Sequence, residues 1–202
     1  MSHIFFDTEF SGLTQQANLL SIALVPDQGP WFYAVCSDVD TATLSPWHQQ
    51  NVVSRLPLTE QQLELLPPGK YLVADTNTVT IALRDYLAAF DEVIMWADVP
   101  AYDWVLFCQL FGGALQLPKN IHYIVRDLAT LLEVKGYDID TDRFALAYGK
   151  EVGAHAGAII RPSDGRVGQE PVPANITEGL LRHNALGDAM ACRACWEKLN
   201  KP

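Results

Sequence analysis

The chain has 202 residues, 49% hydrophobic and 19% charged, which suits one domain and excludes a disordered polymer. With 14 basic residues against 24 acidic ones, the net charge of −10 excludes a surface that follows a nucleic-acid duplex along a basic track. A short contact with a chain end stays open, because bound divalent cations supply positive charge where a phosphate sits, and the excess acid also serves solubility.

Residues 3–6 form a short apolar run that leads into Asp7. NLLSIALV at 18–25 and WFYAVCS at 31–37 are strand-like, with residues 26–30 as the turn between them. Three strands joined by short turns predict an antiparallel meander. The proline-punctuated stretch 38–70 is expected to hold helices near 46–55 and 59–65. Helical spacing over 77–90 places Val79, Leu83, Leu87 and Phe90 on one face. EVIMW at 92–96 reads as a buried strand, and 101–111 as a helix stopped by Gly112 and Gly113. A strand at 122–125 follows, then a helix to about 134 capped by Asp127. Alternation of helix and strand after residue 77 predicts parallel strands in an α/β sheet.

Residues 149–175 are rich in glycine and proline, with a turn signal at Ser163-Asp164-Gly165-Arg166. They read as an insertion, either a hairpin or a flap, within a single domain spanning 1–202. The segment 176–200 is helical with a break near His183, and its apolar positions include Leu186, Met190 and Trp196. No apolar run approaches the ~20 residues that cross a bilayer. MSHIFFDTEF lacks the features of a secretory leader, so no membrane partner and a cytoplasmic location are expected. Cys36 and Cys108 sit in apolar runs. Cys192 and Cys195 form a lone C-x-x-C, a zinc or redox half-site with no second cysteine pair, and are read as buried helix thiols.

Asp7 and Glu9 stand at i and i+2 on the first strand and so share a face. Two acids side by side repel unless a cation neutralises them, although many such pairs are simply solvated strand ends. Asp103 lies just past a strand, where ligands bind in α/β sheets, or is a first-turn acid that complements a helix dipole. Asp98, five residues earlier, is an outer support for such a site or a loop acid. His183 and Asp188, five apart, do not share one helix face. If His183 precedes a helix start, it approaches from a separate element while Asp188 points inward. A lone histidine also has ordinary structural roles, and His3, His48, His122 and His155 are given no catalytic one.

In chain order these pieces are FFDTEFSG, AYDWVLFCQLFG and HNALGDAMACR. Their order and spacing resemble the DEDDh 3′–5′ exonucleases. Residues 3–135 look most like the RNase AS-type exoribonucleases, which trim adenylate tails, on LLSIALV, WFYAV, NVVSRLP and WADVPAYDWVLFCQLFG. The resemblance implies an RNase H-like α/β fold whose mixed sheet has five strands, the first three antiparallel and the later two parallel to the first. It implies two Mg²⁺ or Mn²⁺ ions per active site, held by Asp7, Glu9, Asp103 and Asp188. Asp7 would bridge the ions, Glu9 and Asp188 would complete the site of the water-binding one, and Asp103 would hold the other. His183 would take the proton of the attacking water. The expected partner is the single-stranded 3′ end of RNA, with DNA as the rival substrate and a silent RNase H-like binding module as the rival class. A homodimer is also implied. Phe10 and Trp104, next to the acids, either pack against a base or sugar or are core aromatics, and Glu9 is a candidate for contacting a 2′-hydroxyl. Against the compact family pattern, the stretch at about 136–178 as a whole is an insertion or flap.

Overall fold

The first strand, β1 (Ser2–Phe10), sends alternate side chains into two apolar layers, as a period of two requires. Ile4 and Phe6 enter one layer and Phe5 the other. The computed structural model describes residues 1–149 and 182–201. β2 (Leu19–Pro26) pairs antiparallel with β1, and β3 (Trp31–Cys36) antiparallel with β2. Every residue of β2 and β3 is buried, which accounts for their near-continuous apolar runs. On the other side of β1, β5 (Val93–Ala97) and then β6 (Arg126–Asp127) pair parallel.

A sixth strand, β4 (Gly69–Ala74), extends the sheet beyond β3 and runs parallel to it, giving the order β4-β3-β2-β1-β5-β6. The expectation of five strands is thus one short. Gly69 admits the Trp31 ring: a Cβ there would lie 2.0 Å from the indole, whose Nε1 donates to the Pro67 carbonyl at 2.7 Å. The strand expected at 122–125 is also displaced. Residue 121 makes an isolated bridge to Val93, Tyr123 and Ile124 swing out into solvent, and pairing resumes at Arg126. Asn120 fixes this excursion by donating to the Leu87 and Phe90 carbonyls, both at 2.8 Å.

Two helical layers enclose the sheet. α3 (Thr76–Leu87), capped by Asp75, and α4 (Ala101–Leu110) cover the Ile4/Phe6 face through Val79, Leu83, Leu87, Leu106 and Phe107. Gly112 and Gly113, at φ of 93° and 121°, end α4 as read from the sequence. α5 (Leu128–Val134), capped by Asp127, α6 (Arg143–Tyr148) and α7 (Ala185–Leu199) cover the other face. The short helices α1 (Pro46–Asn51) and α2 (Glu60–Leu65) have no buried residues, and a 3₁₀ turn at Val53–Arg55 follows α1. All four cysteines are free and buried, as read from the sequence. Among the described residues, no helix is long and apolar enough to cross a membrane. α6 lies inside the expected insertion and packs on α7. The expected hairpin or flap, its turn at 163–166, His155 and the start of the last helix at 176 lie outside the described residues.

Candidate active site

Asp7 and Glu9 leave β1 on the side covered by α7, where Phe5 also points, while Thr8 faces α4. A bulge lies beside them: Glu9 pairs with Ser21 and Phe10 with Leu19, so Leu20 is an extra residue in β2. Bulges of this kind re-aim neighbouring side chains. α7 crosses β1 and β2 with Ala185, Leu186 and Ala189 buried against the sheet, which brings Asp188 of its first turn over the acid pair. Carboxylate oxygens of Asp7, Glu9 and Asp188 all lie within 4.8 Å of one another.

Asp103 stands off from this trio. It sits in the first turn of α4, buried, and its Oδ1 accepts from the Thr8 backbone N–H at 3.0 Å and the Thr8 hydroxyl at 2.6 Å. Its charge still reaches the trio, since it raises the pKa of both Asp7 and Glu9. The structure therefore brings three sequence-predicted acids into one cluster and holds the fourth beside it through Thr8.

Burial and mutual repulsion act on these acids in one direction. Desolvation, then Asp188, Asp103 and Glu9, push Asp7 well above the carboxylate range. Desolvation, then Asp188 and Asp103, push Glu9 up to about 9, with Arg55 opposing. Burial pushes Asp188 up to about 7, against the His183 and Asn184 backbone and Arg182. Asp103 is raised by burial despite its bonds to Thr8. Among the described residues, Arg143 and Arg182 stand at the rim of the cluster. Arg182 is paired with Asp142 and covers the Phe144 ring at 5.1 Å, and Arg143 is paired with Asp98 at 2.9 Å. A cavity of about 180 Å³ opens between them, lined by Asp7, Asp98, Arg143, Phe144, Arg182 and Asp188 among others.

His183 precedes α7 and is exposed, with a left-handed φ of 57°. That conformation costs a non-glycine residue about 1–3 kcal/mol and persists only where neighbours enforce it. Its ring meets Trp47 of α1 edge-on at 5.3 Å. Partial desolvation of the ring, then Arg55 and Arg182, lower its pKa, so the imidazole is neutral and able to accept a proton at physiological pH.

The two aromatic candidates lie differently. Phe10 is half-buried at the strand end, 6.2 Å from the Tyr102 ring. Trp104 is half-buried against the core, stacked on Phe107 at 5.3 Å and edge-on to Phe6. Sequence reasoning passed over Trp47, Arg55, Arg182 and Thr8. Thr8 alone carried a signal, being the residue between the two acids and hence the one facing the opposite layer.

The family model for the 3′–5′ exoribonuclease Rv2179c-like domain matches residues 2–160. Two relatives from strains of Mycobacterium tuberculosis, the 3′–5′ exoribonucleases Rv2179c and MT2234.1, are each 31% identical over 134 residues, covering 65% of this chain and 74% of the relative. The family match takes in Asp7, Glu9 and Asp103 and stops before His183 and Asp188.

Proposed function

The chain belongs to the Rv2179c-like 3′–5′ exoribonuclease family, and from that premise we propose that it releases nucleoside 5′-monophosphates from the 3′ end of single-stranded RNA by metal-assisted phosphodiester hydrolysis of the DEDDh, RNase AS type. One observation carries the reading: three carboxylates, Glu9 buried and Asp7 and Asp188 half-buried, with oxygens within 4.8 Å of one another at the end of the central strand. The donor set suits a hard divalent cation. It is all oxygen, it is desolvated, and the two arginines that line its cavity, Arg182 and Arg143, are paired with Asp142 and Asp98. Asp7, Glu9 and Asp188 would hold Mg²⁺ or Mn²⁺, with Asp103 serving a second ion. Bound there, a pair of such ions supplies charge stabilisation for the phosphoryl oxygens and the departing 3′-oxygen.

The protein's own groups do the rest. His183, neutral at working pH, accepts the proton of the attacking water at its ring nitrogen. Thr8 fixes the Asp103 carboxylate through two hydrogen bonds. The small basic content limits contact to the terminal nucleotides, in line with an enzyme that works from an end. Phe10 and Glu9, at the end of β1, would contact the terminal sugar in this reading.

The test uses 3′-labelled and 5′-labelled oligonucleotides, as RNA and as DNA, with and without Mn²⁺. The expected result is stepwise release of 5′-monophosphates from the RNA 3′ end only with metal, and none from Asp7→Ala. Preference for DNA would make this a DNA exonuclease. Full hydrolysis by Asp7→Ala, or under exhaustive chelation, would overturn the site, and inactivity on every substrate would favour a binding module. Light scattering tests the proposed homodimer.

A further inference from the structure

His183 is bracketed by two bonds to one residue. On its N-terminal side the Arg55 guanidinium donates to the Arg182 carbonyl. On its C-terminal side the Asn184 amide nitrogen donates to the Arg55 carbonyl at 2.5 Å and to the Tyr33 hydroxyl at 3.1 Å. The Tyr33 hydroxyl in turn donates to the Leu56 carbonyl at 2.5 Å. The amide oxygen of Asn184 accepts from the Leu186 and Gly187 backbone at 3.1 and 3.4 Å, which caps α7. Asn184 is 4% exposed and Tyr33 fully buried, so these bonds are shielded from water.

One side chain therefore does two separable things. Its oxygen starts the helix that carries Asp188. Its nitrogen ties the left-handed His183 turn to β3 and to the 53–55 turn, the segment that follows Trp47 and its helix. Capping alone needs an acceptor, which serine and aspartate also provide. The donations reach across the fold to positions far away in sequence, and only an amide supplies both functions here.

We propose that Asn184 is a positioning residue for the hydrolysis, whose amide nitrogen sets the placement of His183 relative to Asp188. This rests on the reading of His183 and Asp188 as members of the active site. The lost donations act on geometry at the reacting centre, not on substrate capture.

The experiment compares Asn184→Ser, Asn184→Asp, Tyr33→Phe and the Ser/Phe double variant with the parent enzyme under Mn²⁺, on a single-stranded RNA oligonucleotide. Serine and aspartate keep the cap and cannot donate to Tyr33 and Arg55 as the amide does. Both are expected to lower kcat by about 10²-fold with KM held within about twofold, the scale of a small misplacement of catalytic groups. Tyr33→Phe should lose less, because the bond to Arg55 remains, and its effect should not add to that of Asn184→Ser. Melting curves and far-UV circular dichroism show which variants are folded at assay temperature. If serine unfolds the protein, the aspartate and phenylalanine variants decide. Wild-type kcat in a folded Asn184→Asp or Asn184→Ser enzyme would reduce Asn184 to a helix cap and overturn the proposal. Asp188→Ala separates the two levels: full activity there sinks the site itself, whereas a dead Asp188→Ala beside a fully active Asn184→Ser sinks the positioning role alone.

Discussion

Removing metal and raising the pH should make this protein melt earlier, and the size of the effect follows from the acid cluster. Glu9 moves from an ordinary 4.5 to about 9 and Asp188 from 3.8 to about 7. Their folded values are raised, so their contribution is fully present below the unfolded values and is lost as pH rises through the folded ones. Between about pH 6 and about pH 9 the folded chain still holds protons that the unfolded chain has released. Integration over that window gives a loss of roughly 4 kcal/mol through Glu9 and roughly 1 kcal/mol through Asp188. For a domain of this size the fall in Tm is then about 10–20 °C. His183 acts the other way, because its pKa is lowered: its contribution is present above 6.5 and lost as pH falls below that, outside most of the window. The buried thiols of Cys36, Cys108 and Cys195, pushed up to about 11 to 12, also act only above it. Thermal melts in EDTA, followed by circular dichroism, measure the slope. Mn²⁺ at about 100-fold its Kd should restore about 2.7 kcal/mol and flatten the dependence. A Tm in EDTA that stays level or climbs from about pH 6 to about pH 9 would refute the electrostatic account of the cluster.

Three further outcomes are expected. Asp7→Asn removes one of the repelling buried charges, so it should raise the metal-free Tm above about pH 7 while abolishing both nucleotide release and the Mn²⁺-induced shift in melting. His183→Ala should slow hydrolysis by about 10²–10⁴-fold. In the parent, kcat should rise with pH through a pKa below 6.5, a limb that the alanine variant should lack in a pH–rate series. Thr8→Val strips Asp103 of its hydroxyl partner and should weaken Mn²⁺ binding by about 10–100-fold in isothermal titration, with little change in Tm.

The reach of the sequence differed from residue to residue. Asp7 and Glu9 were legible because a strand has a fixed period, and β1 was legible because HIFF is too apolar for an edge. The meander, α3, β5 and α4 followed from burial patterns that periodicity reports directly. β4 escaped because it is an exposed edge: Val73 is 54% exposed and the strand opens on Pro-Pro-Gly, so neither burial nor alternation marks it. The excursion at 123–124 escaped because it is set by Asn120 reaching the end of α3, a tertiary contact with no local trace. The stand-off of Asp103 depends on which layer Thr8 faces, and that requires knowing that α4 and α7 lie on opposite sides of the sheet. Trp47 and Arg55 come from a segment whose helices bury nothing, so no pattern could have brought them to His183.

The three clustered carboxylates come from elements far apart in chain order, Asp7 and Glu9 from β1 and Asp188 from α7. During synthesis Asp7 and Glu9 leave the ribosome long before Asp188 exists, and α7 can cover β1 only once β2 is in place beneath it. A copy made only as far as β5 thus carries Asp7 and Glu9 without Asp188 or His183. Under the chemistry proposed above, such a copy is harmless to the message it is being read from, and the power to cut arrives with α7.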